Sequence, residues 1–303
     1  MLTRAAITEV VERGLAEDAP WGDITSEHLI PAAATARAVL AAREAGVFSG
    51  GAVFAATFAA LEPAVAVELH VADGEPFEAG AVLATVTGPA RAVLTGERVA
   101  LNLTQRMCGI ATLTARYVAA VEEAVARVEE AAGLPSGTIT RTRVADTRKT
   151  TPGLRALEKH AVVSGGGHNH RHSLSDAVMA KDNHLAVLTA DGTDLTTALR
   201  QLRRRLPHTV HLEVEVDRLD QIEAVLAGGA DTVMLDNFSV EDLVSGVAVV
   251  DGRATVEASG GVGLETIGEI AATGVDVISV GALTHSARNL DLGLDIVLET
   301  PQG

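Results

Sequence analysis

The chain has 303 residues, 47% of them hydrophobic, and a mean hydropathy of +0.24, which leaves room for one large barrel or two ordinary domains. A net charge of -16 argues against general binding to nucleic acid or to an anionic membrane surface. No apolar run reaches the roughly 18 residues of a membrane span, the opening stretch MLTRAAITEVVERGLAED has no apolar signal core, and a single cysteine, Cys108, excludes an internal disulfide framework and fits a reducing cytoplasm.

From the N-terminus, TEVVERGLAED predicts a short amphipathic helix, and TARAVLAAREAGVFSG reads as strand followed by glycine punctuation. VAVELHVADGEPFEAGAVLATVTG has the alternation and Asp-Gly turn of a hairpin. A long helix is expected from about Glu97 to Ala132, then a loop over LPSGTIT. From Arg143 onward, the short apolar runs TRVAD, AVMAK, VHLEVEV, DTVMLD, ATVEAS and VDVISVG alternate with helical segments such as DRLDQIEAVLAGG and LETIGEIAATG. This rhythm implies a parallel sheet with helical crossovers, and the count suits an α/β barrel better than an open sheet. No P-loop is present, and the nearest dinucleotide fingerprint, SGGVGLETIG, has Thr266 where its third glycine belongs. Three domain-level segments are expected: an N-terminal α/β unit over 1–110, the barrel over 111–285, and a C-terminal helix over 286–303 packing back on the first.

Polar residues cluster where these strands end, the edge at which a parallel barrel carries its active site. TRVAD runs into TRKTTPG, AVMAK into DNH, VMLD into NF, and EAS into GGV. Helix capping explains part of this, with Thr151 and Pro152 reading as N-cap and first helical residue. It does not require Arg148, Lys149, Lys181 and Asp236 together. In VHLEVEVD, His211, Glu213, Glu215 and Asp217 share one strand face, and buried carboxylates are costly unless paired with cations or metal. The last two strands end in Ser259-Gly260-Gly261 and Val280-Gly281-Ala282, where glycines can bring backbone N–H groups close to phosphate oxygens.

Between Arg141 and Lys181 lie eight basic residues (Arg141, Arg143, Arg148, Lys149, Arg155, Lys159, Arg171, Lys181) against three acids (Asp146, Glu158, Asp176). Within this patch, GGGHNHRH sets His168, His170 and His172 at alternate positions. Two chemistries compete there. The histidines could bind a metal as in barrel metallohydrolases, with His184, His211 and Asp236 as further ligands. Alternatively Arg148, Arg171 and Lys181, poor neighbours for a dication, hold an anion through paired N–H donors.

The run ADTRKTTPGLRALEKHAVVSGGGHNHRHSLSDAVMAKDNH resembles the quinolinate phosphoribosyltransferase family, as do EDAPWGDITS, GERVALNLTQRMCGIAT, EVEVD, LDNF, EASGG and VGALTHS, in order along most of the chain. The resemblance implies an N-terminal α/β sandwich domain joined to an incomplete α/β barrel, in a homodimer with shared active sites or a hexamer. It implies transfer of phosphoribosyl from phosphoribosyl pyrophosphate to quinolinate with decarboxylation, using Mg²⁺. It assigns the quinolinate carboxylates to Arg148, His170, Arg171 and Lys181, with Arg98 from the partner subunit. Lys149 and Lys181 would face phosphoribosyl pyrophosphate, Glu215 and Asp236 the ribose and Mg²⁺, and Ser259, Gly260 and Gly281 the phosphate. The departures are a longer segment before Asp146, His160 in place of a more usual tyrosine, and Met107-Cys108 in place of Leu-Ser. The competing readings are a paralogue acting on another heteroaromatic carboxylate, a non-catalytic phosphosugar sensor, and the metallohydrolase.

Overall fold

The computed structural model describes residues 2–139 and 142–297. The chain folds into two compact units, one formed by residues 2–115, 150–166 and 283–297, the other by 116–149 and 167–282. The boundary expected near residue 110 therefore falls inside a helix, Ala90–Ala131, and residues 150–166 return to the first unit. Among the described residues no helix is long and apolar enough to cross a membrane.

In the first unit, β1 (Thr35–Ala42) lies between β12 (Leu292–Val297) and β5 (Val82–Pro89), and β3 (Ala66–Leu69) flanks β5; all three pairings are antiparallel. Residues of β1 and β5, including Leu40, Leu83 and Val86, are buried with Phe48, Phe54, Phe58 and Leu292. Phe54 and Phe58, one turn apart on the helix Gly51–Leu61, meet edge to face at 5.2 Å. The predicted hairpin pairs as expected, but Asp73-Gly74 is not its tight turn. The connection houses β4 (Pro76–Phe77), which pairs with β2 (Gly46–Val47). Asp73 instead accepts the N–H groups of Gly50 and Gly51, each at 3.0 Å, at the start of the Gly51–Leu61 helix. His160 Nε2 closes the cluster 2.6 Å from the same carboxylate.

The second unit holds β6 (Arg143–Ala145), β7 (Val178–Ala180), β8 (Leu212–Val216), β9 (Thr232–Asp236), β10 (Thr255–Ser259) and β11 (Val277–Ser279). All pair in parallel, in the order β6-β11-β10-β9-β8-β7. His168 adds a single parallel bridge to Ala145 on the other side of β6. Among the described residues no ladder joins that bridge to β7, so the sheet curves as a barrel that stays open there. Crossover helices include Leu195–Arg205, capped by Asp194, and Val240–Val250, capped by Ser239. Leu212, Val214 and Val216 are buried, and so is Glu213 between them, as expected for a parallel strand covered on both faces.

Two local expectations are corrected. Residues 292–297 form a strand rather than a helix: buried Leu292 and Leu294 alternate with Gly293 and exposed Asp295, and the ladder on β1 satisfies the backbone. The remainder of that expected helix, 298–303, lies outside the described residues. Thr151 does not cap the next helix, which begins at Arg155 after a turn in which Gly153 has φ +85°. Its N–H donates at 3.0 Å to Glu158, a buried carboxylate that also pairs with Arg106 at 2.9 Å.

Gly109, inside the long helix, brings the chain against Arg288, and a Cβ there would lie 2.0 Å from that carbonyl oxygen. Gly109→Ala should therefore destabilise the protein by about 1–3 kcal/mol in denaturant unfolding, although alanine alone favours a helix by about 1 kcal/mol. A rise in stability would contradict the close approach.

Candidate active site

Asp146 follows β6, Lys181 follows β7, Glu215 lies near the end of β8, and Asp236 and Ser259 are the last residues of β9 and β10. Lys181 Nζ pairs with Glu215, whose side chain is only 11% exposed. Asp236 accepts hydrogen bonds from Ser259 Oγ and, at 2.7 Å, from Asn237 Nδ2. Asn237 takes a left-handed φ of 57°, and its own N–H donates to the Ser259 carbonyl at 2.9 Å. Gly260, at φ +91°, lies so close that a Cβ would meet Asn237 Oδ1 at 2.2 Å and its backbone nitrogen at 2.8 Å. Beside these groups opens a cavity of about 660 Å³ lined by Glu215, Asp236, Asn237, Asp182, Asp217 and Arg218, among others.

On the inner face of the sheet, His170 Nε2 lies 3.1 Å from Glu213 and 3.5 Å from Glu257, and both carboxylates are almost wholly buried. Asp146, fully buried, accepts the His170 backbone N–H at 2.9 Å and fixes the turn. Burial disfavours charge on the imidazole, but the hydrogen bonds and charges of Glu213 and Glu257 outweigh it and lift its pKa to about 10. Burial likewise raises the Glu213 pKa. The Arg171 N–H is directed at His170 Nδ1 from 2.7 Å, a contact suited to a neutral ring. The ligand atoms of the three side chains lie within 4.8 Å of one another, close enough for a divalent ion. The adjoining Arg171 and Arg148 charges oppose a dication, whereas a proton on Nε2 faces both carboxylates.

Arg171 is the most telling cation. Its guanidinium donates to Ala177 O at 3.2 Å and rests 3.5 Å from Met179 Sδ. Among the described residues it makes no ion pair. Burial first, then the charge of Arg148, lowers its pKa, against the opposing charges of Glu213 and Asp176. Arg148 is half-buried and Lys149 exposed, both just after Asp146. Gly281 follows β11. Arg98 stands exposed on the helix Ala90–Ala131, in the part belonging to the first unit, also without an ion pair among the described residues. Arg141, counted in the basic patch, lies outside the described residues.

The alternate histidines do not converge on one point. His168 is held in the bridge to β6, its pKa lowered by burial, and the His172 backbone N–H donates to Asp176. His184 Nδ1 accepts the Lys181 N–H, and His211 Nε2 meets Thr232 Oγ1. The set His168, His170, His172, His184, His211 and Asp236 is thus not a metal centre in this structure. Asp146 and Glu257 had no role assigned from the sequence. For Glu257, the available signal was a carboxylate inside an apolar strand, ATVEAS.

The quinolinate phosphoribosyl transferase C-terminal domain matches residues 110–295, and the N-terminal domain of the same enzyme matches 23–108. The chain belongs to this family. It is 40% identical to a nicotinate-nucleotide pyrophosphorylase [carboxylating] of Mycobacterium leprae, over 96% of this chain and 97% of that one. Identity to a probable enzyme of the same name from Bacillus subtilis is 38%, over 93% and 90%. The crystal structure of NadC from Streptococcus pyogenes superposes with a TM-score of 0.87 at 37% identity, covering 98% of each chain. For a member of this family, the strand-end cluster on β6 to β10 is the natural seat of the chemistry.

The contact of Gly260 with Asn237 makes a local prediction. Gly260→Ala must push Asn237 aside and so displace Asp236, and activity should fall by about 10²-fold in steady-state assays while the circular dichroism spectrum stays that of the parent. Unchanged activity would mean that the Asn237–Asp236 geometry is irrelevant to turnover.

Proposed function

We propose that the protein transfers the phosphoribosyl group of phosphoribosyl pyrophosphate to quinolinate, releasing pyrophosphate and carbon dioxide and forming nicotinate mononucleotide, a step of de novo NAD biosynthesis. The observation that carries this is likeness over nearly the whole length to carboxylating nicotinate-nucleotide pyrophosphorylases. The half-buried Arg171, which makes no ion pair among the described residues, supports the choice of an anionic substrate.

On this reading Arg148, Arg171, His170 and Lys181 take the two carboxylates, joined by Arg98 of a second copy, and so orient the pyridine ring. Arg171 suits bidentate binding of one carboxylate. The ring nitrogen then attacks the anomeric carbon as pyrophosphate departs, and no protein nucleophile is needed. Alignment and charge carry the rate. Glu215 and Asp236 would stabilise positive charge on the ribose, and Lys149 and Lys181 the charge of the leaving group. The Lys181–Glu215 pair serves both tasks from one point. Backbone N–H groups at Gly260 and Gly281, with Ser259, would hold phosphate. Loss of carbon dioxide follows because the quaternary ring nitrogen accepts the electrons left behind.

Mg²⁺ fits the donors present, because Glu215, Asp236 and their neighbours Asp182 and Asp217 offer only oxygen. When bound with the diphosphate, the ion neutralises its charge. The protein would work in the cytoplasm as a homodimer or a hexamer.

Purified protein should release equimolar carbon dioxide and pyrophosphate from quinolinate and phosphoribosyl pyrophosphate, with activity following added Mg²⁺. Nicotinate should give essentially no product. Comparable turnover of nicotinate would point to a paralogous phosphoribosyltransferase and overturn the decarboxylating assignment.

A further inference from the structure

Arg171 stands close to two acids and, among the described residues, makes an ion pair with neither. Asp176 and Glu213 are the carboxylates whose charges reach its guanidinium. Asp176 is committed to the loop that follows Arg171. Its oxygens accept the N–H groups of His172 and Ser173, at 2.6 and 3.1 Å, and the Ser173 hydroxyl at 3.1 Å. Glu213 is less fully engaged. One ring nitrogen, His170 Nε2, lies near both its oxygens, at 3.1 and 3.4 Å, which leaves lone pairs for a second donor. A carboxylate only 4% exposed attracts any cation within reach, because little water screens it.

Met179 stands in the way. It pairs in register with Glu213 across the parallel β7–β8 ladder, so the two side chains leave the sheet side by side on one face. Its sulfur lies 3.5 Å from one guanidinium nitrogen of Arg171, and the Ala177 carbonyl accepts from another at 3.2 Å. A thioether is a weak, uncharged acceptor on an unbranched chain that fills irregular space. It holds the guanidinium without neutralising it.

We propose that Met179 is a positioning residue: it parts Arg171 from Glu213 and so keeps the guanidinium unpaired for a carboxylate of the substrate. This rests on the reading that the site binds quinolinate. A short side chain at position 179 opens the way for Arg171 to fold onto Glu213. The site then loses its cation to an internal acid instead of offering it to the ligand.

The test compares Met179→Ala with Met179→Leu, and crosses the first with Glu213→Gln, which removes the charge and keeps an acceptor for His170. Met179→Ala should raise the KM for quinolinate about tenfold and leave that for phosphoribosyl pyrophosphate within about twofold. Met179→Leu keeps the bulk and should stay within about threefold of the parent. The deciding arm is the double variant. With no acid left to capture Arg171, Met179→Ala/Glu213→Gln should have a several-fold lower KM for quinolinate than Met179→Ala, whereas Glu213→Gln alone should bring no improvement. A packing defect would make the second substitution neutral or harmful in both backgrounds. A crystal structure of Met179→Ala should show Arg171 in an ion pair with Glu213. Arg171 still resting on Ala177 in that structure, or a double variant no better than Met179→Ala, overturns the inference. If the alanine variant does not fold, Met179→Val, a stronger strand former, carries the same comparison. Should the parent protein fail to use quinolinate, the proposed substrate falls, while the Arg171–Glu213 distance in the variant still decides the shielding.

Discussion

Parallel pairing is the constraint from which the site follows. Six strands running the same way must deliver their C-terminal residues to one edge, and the registers Glu215↔Met234 and Ser259↔Asp236 set Asp236 level with Ser259 and two positions beyond Glu215. Parallel pairing is why Asp146, Lys181, Glu215, Asp236 and Ser259, spread over more than a hundred positions in sequence, share one rim. The same pairing turns alternate residues of β8 inward, so that Glu213 is committed to the sheet interior while Leu212, Val214 and Val216 face the helices.

The chemistry then becomes a problem of charge placement. The chain carries a net charge of -16, yet the rim concentrates arginine and lysine. Acids there are either spent on neighbours, as Glu215 is on Lys181 and Asp236 on Ser259 and Asn237, or buried beneath, as Glu213 and Glu257 are. Arg171 is left with a carbonyl and a sulfur for company. An acidic protein thus gathers cations and carboxylates at one rim, the arrangement that the proposed reaction of a dianion with a ribosyl cation calls for. Division of labour by depth, rather than by segment, separates the two signs.

Much of this was legible in the sequence because it is local. Each of the six barrel strands is a short apolar run bounded by turn residues, and the polar residue at each strand end marks the functional edge directly. What escaped depended on distant partners. Leu292–Val297 became a strand because β1 offered an unpaired edge, which no pattern near residue 292 announces. Asp73 keeps its turn, but its side chain reaches across to the amide groups of Gly50 and Gly51. Glu257 looked like any polar residue on a half-buried strand, and only the register with β9 and the return of the chain at His170 show that it points at an imidazole. The GGGHNHRH stretch resolved in the same way: its three histidines are sent to a β-bridge, a buried acid pair and a loop, so spacing that suggested a metal yields one functional ring.

The central claim is that the cations at the strand ends bind both carboxylates of one planar substrate. It is tested most directly by a crystal structure of the protein with quinolinate bound. One carboxylate is expected on the Arg171 guanidinium within hydrogen-bonding distance, and the other within reach of Arg148 or Lys181. Quinolinate seated elsewhere, or bound through only one carboxylate with Arg171 still on Ala177 and Met179, would contradict it.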